Sequence, residues 1–200
     1  MKKTIGLLLL VTSSAFLSVN TANATSNSQS DKLSVGDYYQ GGVIYWLEPK
    51  RSEQHGLIID IKDAPDAKGY AWDTTPPSKT GATDNKPFGG KTNTQTIIAA
   101  IDAKRAQAAS VCASSHNQDY SDWYLPAKEE LELILGKGKI TANIIKTAKA
   151  HGGHTFNHTP YWSSTEFHVN SAWNVTGGSA TQASTYKKNI LLSVRCIRSF

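Results

Sequence analysis

The sequence predicts a single α+β domain, with two to three helices packed on antiparallel sheets and one long irregular loop. Three observations carry this. Strand-like runs fall early and late in the chain, with helical periodicity between them. The stretch from Lys62 to Lys91 has neither period, yet holds Pro65, Pro76, Pro77 and Pro87 together with Tyr70, Trp72 and Phe88. Two cysteines, Cys112 and Cys196, stand far apart, as in a domain closed by one long-range link.

The chain opens with Lys2 and Lys3, a mostly apolar run from Gly6 to Val19, and the small-residue site Ala22-Asn23-Ala24. This is the three-part pattern of a cleavable secretory signal peptide over residues 1–24. The run is short of the ~20 residues that span a bilayer. Export is therefore expected, to the periplasm, the medium or the cell surface. Residues 25–33 are polar and read as a flexible lead-in, so the domain itself is expected over 34–200. The full chain has 21 Lys and Arg against 16 Asp and Glu. Without Lys2 and Lys3 the excess falls to near +3, a mild balance that tolerates anionic partners without demanding them. Nothing points to nucleic acid.

Gly41-Gly42 opens a first strand, Val43 to Leu47, and Leu57 to Ile61 forms a second. Both are β-branched and apolar, and a hairpin joins them across Glu48 to Gly56. After the long loop, Asn93 to Cys112 reads as one helix, capped by Thr92 or Asn93, with Ile97, Ile98, Ile101 and Ala108 on its apolar face. Pro126 starts another, with Glu129 and Glu130 at its positive end and Leu131, Ile134 and Leu135 turned inward. Ile140 to Ala150 forms a third. Tyr161–Glu166, Ala172–Thr176, Thr181–Tyr186 and Ile190–Ile197 then make a meander, with turns at Gly177-Gly178 and Lys188-Asn189.

In an oxidising compartment an isolated cysteine pair forms a disulfide. Linking Cys112 to Cys196 closes a loop of 84 residues. The chain-entropy model gives roughly 4–5 kcal/mol for such a loop. A redox thiol is the alternative reading, and the absence of C-x-x-C weighs against it.

Several segments together resemble one family. They are Gly36–Tyr45, Thr80-Gly81-Ala82-Thr83 with Asn93-Thr94, Asp122-Trp123-Tyr124-Leu125-Pro126 through Leu131, Tyr161–Glu166, Ala172-Trp173 and Val194–Arg198. Their order and content are similar to the Lcl C-terminal domain, which caps a collagen-like bacterial adhesin. The resemblance implies a C-type-lectin-like fold and adhesion to sulfated polysaccharides. Two departures stand out: the collagen-like stalk is missing, and Tyr124 stands where many members carry Arg.

The expected function is therefore an exported carbohydrate-binding module for sulfated or acidic polysaccharides, including host or extracellular glycans. The alternative is a structural or assembly module that binds a protein partner, and a homo-oligomer stays open. The long loop is the expected ligand site, with Trp72 as stacking aromatic and Lys79, Lys86 and Lys91 as charge donors. Lys187 and Lys188 at a turn form a second patch, and Trp162 and Trp173 are assigned to the core. His151, His154 and His158 are a weak metal alternative, because the glycines between them fix no geometry. Glu48-Pro49-Lys50 only half matches a calcium-lectin sugar triplet, and no carboxylate cluster supports calcium. No cofactor is expected. No nucleophile elbow, H-E-x-x-H or phosphate loop occurs, so no enzymatic activity is expected either.

Overall fold

The computed structural model describes residues 32–49, 53–136, 138–157, 159–177 and 182–200. The expected signal peptide and nearly all of the lead-in lie outside the described residues. The architecture is α+β, with four α-helices among the described residues and antiparallel sheets.

At its centre is the expected hairpin, β2 (Gly42–Leu47) against β3 (Gly56–Asp60). Val43 pairs with Ile59 and Ile44 with Ile58. Short strands β1 (Tyr38–Tyr39) and β9 (Ile197–Ser199) extend the sheet to the order β1-β2-β3-β9. The apolar run is continuous because both faces are covered. Val43, Tyr45, Leu57 and Ile59 pack with Leu131, Ile134, Leu135, Ile144 and Ala148. Ile44 and Ile58 pack on the other side with Trp72, Ile97, Trp123 and Trp162. One thin sheet thus separates two hydrophobic cores.

The helix expected over Asn93 to Cys112 is two helices, α1 (Gly89–Ile101) and α2 (Gln107–Ala113). They break at Asp102, whose φ is 63° and whose carboxylate accepts the backbone N–H groups of Lys104 and Arg105. A local Asx hydrogen bond there outcompetes the helical one. The expected cap is also displaced. The helix begins four residues before Asn93, which is buried and clamps Asp84 instead, donating to its carbonyl at 2.6 Å. The helix starts early because Phe88 is held at φ 69° by its N–H bond to the Glu130 carboxylate, 2.7 Å.

α3 (Lys128–Leu135) follows Pro126-Ala127, and Glu130 reaches back to accept the Ala127 N–H at 2.7 Å. α4 (Gly138–Ala150) matches the third expected helix. A second sheet, β5 (Tyr161–His168), β6 (Ser171–Thr176) and β7 (Gln182–Lys187), holds the first three strands of the expected meander. Inside the long loop, β4 (Tyr70–Ala71) pairs with β8 (Leu191–Leu192).

The last expected strand, Ile190 to Ile197, is split between β8 and β9. Its first residues pair with the loop and its last with β3, so the chain leaves one sheet to join another. Cys196 sits at that crossing, bonded to Cys112 of α2. The expected disulfide is thus present, and it ties α2 to the strand that closes the central sheet.

Candidate functional site

The long loop is pinned down along its length. Trp72 is 1% exposed, and its indole N–H donates to the Ser163 carbonyl at 2.9 Å. The Lys188 ammonium lies 4.4 Å from the Trp72 ring centre. It donates to Glu166 and to the Ser78 carbonyl, each at 2.6 Å. Glu166 in turn accepts the N–H groups of Thr80 and Gly81 at 2.8 and 2.9 Å. Burial alone would raise the Glu166 carboxyl, but Lys188 and these two N–H donors outweigh it and hold it below its ordinary value. Arg105 from the corner between α1 and α2 adds a second clamp, reaching Asp73 at 2.9 Å and the carbonyl of Pro76.

These contacts correct the expected site. Trp72 is a core residue and offers no face to a ligand, because Ser163 and Lys188 occupy its polar edge and its ring. Lys188 is fully buried. An ammonium can be buried there because Glu166, the Ser78 carbonyl and the indole face replace its water. Trp162 is buried as expected, with its N–H on the Tyr70 carbonyl at 2.8 Å. Trp173 is the reverse case: assigned to the core, it is only partly buried.

Lys79, Lys86, Lys91 and Lys187 are exposed. Three of them border one region. Lys79 precedes the two residues that bind Glu166, and Lys187 precedes Lys188. Lys86 follows Asn85, whose carbonyl accepts the Glu129 N–H at the start of α3. Between them emerges the end of β5. Phe167 there is 58% exposed, and it meets Trp173 edge to face, with ring centres 5.2 Å apart and planes at 79°. The Lys128 ammonium stands 5.2 Å from the Trp173 ring centre, while a salt bridge of 3.2 Å joins it to Glu132. The Lys128 N–H is fixed on Thr165 at 3.0 Å, so α3 and β5 hold this group rigidly. An exposed ring on a half-buried one, beside a cation, can stack on a sugar ring and attract its acidic substituents. Sequence reasoning missed it because a strand tryptophan reads as core. The one signal was Phe167 directly after the strand residue Glu166.

The histidines do not converge. His151 stacks on Tyr38 with ring centres 3.8 Å apart. His154 meets a guanidinium, Arg195 Nη2 at 3.1 Å. His158 lies outside the described residues. Among the described residues no three His, Cys, Asp or Glu side chains stand where they could hold a metal ion. The loop acids are engaged internally: Asp63 binds the buried Arg195 at 2.5 Å, and Asp73 binds Arg105. Arg198 likewise binds Asp122 at 2.6 and 2.9 Å.

Glu130, read in the sequence as a first-turn acid of α3, is fully buried. Glu130 accepts from Phe88 N, Ala127 N and the Tyr124 hydroxyl, joining the loop's end to α3. Burial pushes its carboxyl up to about 7, although these donors pull the other way. Burial and the nearby Glu130 also push the Tyr45 and Tyr124 hydroxyls well above their ordinary range. All three groups are buried, and the bonds to Glu130 tie the end of the loop to α3.

Among curated proteins none matches this chain. A solved structure, the crystal structure of a fimbrial protein from Bacteroides ovatus, is similar in fold with a TM-score of 0.63 at 16% identity. The similarity covers 82% of this chain and 48% of that one, so this chain spans about half the length of its fimbrial neighbour. A family model, the Lcl C-terminal domain, matches residues 66–198. That segment runs from the pinned loop to β9 and contains the disulfide, the buried Lys188–Glu166 pair and the Phe167–Trp173 surface. The protein belongs to the Lcl C-terminal domain family.

Proposed function

We propose that this protein is an exported adhesion module of lectin-like fold, and that it binds sulfated or acidic polysaccharide on the surface around Phe167 and Trp173. The exposed edge-to-face pair with Lys128 over the indole carries this reading. Neighbouring apolar side chains left at the surface mark a binding site more often than isolated ones do. Lys79, Lys86 and Lys187, exposed around the same strand end, supply the attraction for acidic groups. The disulfide supports export, because such bonds persist in oxidising compartments. The reading assigns no catalytic residue.

A second reading, an assembly module that binds a protein partner, draws on one feature. Among the described residues β7 is paired on one side only, by β6. Such an edge accepts an added strand.

Retention on immobilised heparin across a salt series separates the two. The glycan reading expects elution only above about 0.2 M salt, where the Debye length has fallen below about 8 Å and surface charges are largely screened. Phe167→Ala should weaken binding about 10-fold while leaving the melt unchanged, since its ring is largely in solvent. Wild-type protein that flows through at low salt would remove the glycan reading.

A further inference from the structure

Against α3 lies a cavity of about 350 Å³, lined by Trp46, Pro87, Glu129, Glu132, Leu133 and Gly136. Positions 129, 132, 133 and 136 recur at the spacing of one helical stripe, and the neighbouring stripe of Glu130, Leu131, Ile134 and Leu135 faces the core. One wall of the cavity is therefore the outer face of α3. The other is Trp46, at the end of β2, braced edge to face by Phe88 at 5.5 Å. Trp46, Pro87 and Leu133 give it apolar surface, and among the described residues the charged groups that line it are both carboxylates.

The two carboxylates differ. Glu132 already takes an ammonium, that of Lys128. The Glu129 side chain is exposed and has no partner among the described residues; only its backbone N–H is engaged, by Asn85. An indole, aliphatic side chains and a carboxylate without a partner among the described residues line the same space, and these are the three elements that recognise a cation on an apolar stem. An acidic sugar or a phosphate is disfavoured by the same two charges. The volume falls in the range of small-ligand sites.

We propose that this cavity binds an alkylammonium group, with the stem along Leu133 and Pro87, the cation against Trp46, and Glu129 as its counter-ion. The cavity adjoins the Phe167–Trp173 surface through the Glu132–Lys128 salt bridge, and its ligand chemistry does not rest on glycan binding. A free amine and a lysine side chain on a partner protein present the same chemistry.

The test uses the whole exported chain and n-butylammonium as probe, followed through the indole N–H signals in NMR titrations. Saturable shifts of the Trp46 signal are expected, with n-butanol at least about 10-fold weaker because it lacks the charge. Glu129→Gln, an exposed change that leaves the core untouched, should weaken n-butylammonium about 2- to 5-fold while lowering the melt only slightly, through the lost first-turn charge. A Gly-Gly-Lys-Gly-Gly peptide distinguishes the sources. Binding as tight as n-butylammonium assigns the site to a partner's lysine, and exclusion of the peptide assigns it to a free amine. Equal affinity for n-butanol and n-butylammonium, an unchanged affinity in Glu129→Gln, or no saturable shift would each overturn the proposal.

Discussion

Replacing Lys188 with Met tests whether the long loop is held by a buried charge or offers that charge to a ligand. The Lys188 ammonium has three replacements for water: Glu166 and the Ser78 carbonyl, both at 2.6 Å, and the Trp72 ring at 4.4 Å. Met fills a similar volume but leaves Glu166 buried with only its Thr80 and Gly81 donors. Breaking a buried pair from one side costs about 3–5 kcal/mol. For a domain of this size that is roughly 6–20 °C in melting temperature. The loss should depend on pH. In the wild type the Glu166 carboxyl is held below its ordinary 4.5. Its contribution is therefore present above that value and is lost as pH falls through the folded-state pKa. Without Lys188, burial is opposed only by the loop donors, and the carboxyl can take up a proton more readily as acid is added. The gap between variant and wild type should thus be widest at neutral pH and narrow toward pH 4. Urea melts of both proteins at pH 7 and pH 4 measure this. A gap under about 1 kcal/mol at pH 7, or one that does not change with pH, would refute the buried Lys188–Glu166 pair as what holds the loop, since solvent-exposed pairs contribute no more than that. An unchanged melt with lost heparin binding would return Lys188 to the ligand site.

Trp72→Ala should cost about 3–5 kcal/mol, seen as a large drop in the thermal melt, because the whole indole is buried and its N–H is bonded. The Glu130 carboxyl should titrate near 7 in carbon-detected NMR, and a midpoint below 5 would reject its burial as the controlling factor. A raised carboxyl stabilises the fold fully below pH 4.5, and its contribution fades as pH rises through about 7, so Glu130→Gln should flatten that part of the stability profile in urea melts. Reducing the Cys112–Cys196 bond should lower stability by about 2–5 kcal/mol in melts run with and without reductant, as expected for a loop of 84 residues.

Much of this protein was written in one dimension. The apolar runs Val43–Leu47 and Leu57–Ile61 specified the central hairpin, because β-branched residues buried on both faces leave the chain few other conformations. The inward stripe of α3 and the meander at the end of the domain followed from local periodicity in the same way. The cysteine pair was legible because only one pairing exists within the chain.

What the tertiary structure decided were the positions where a local rule meets a distant partner. The helix from Asn93 to Cys112 breaks at Asp102 and begins at Gly89, the first through a short-range Asx bond and the second through Glu130, more than forty residues away. Trp72 and Trp173 exchanged the roles their surroundings suggested. A tryptophan in an irregular loop was drawn into the core by Ser163, and a tryptophan in a strand was left at the surface with Phe167. Lys188 looked like a turn residue in solvent, yet it is buried because Glu166, twenty-two residues earlier, lies against it. Sequence patterns report how each residue pairs with its own neighbours, whereas the burial of a charge or an indole is set by groups that only folding brings within hydrogen-bonding distance.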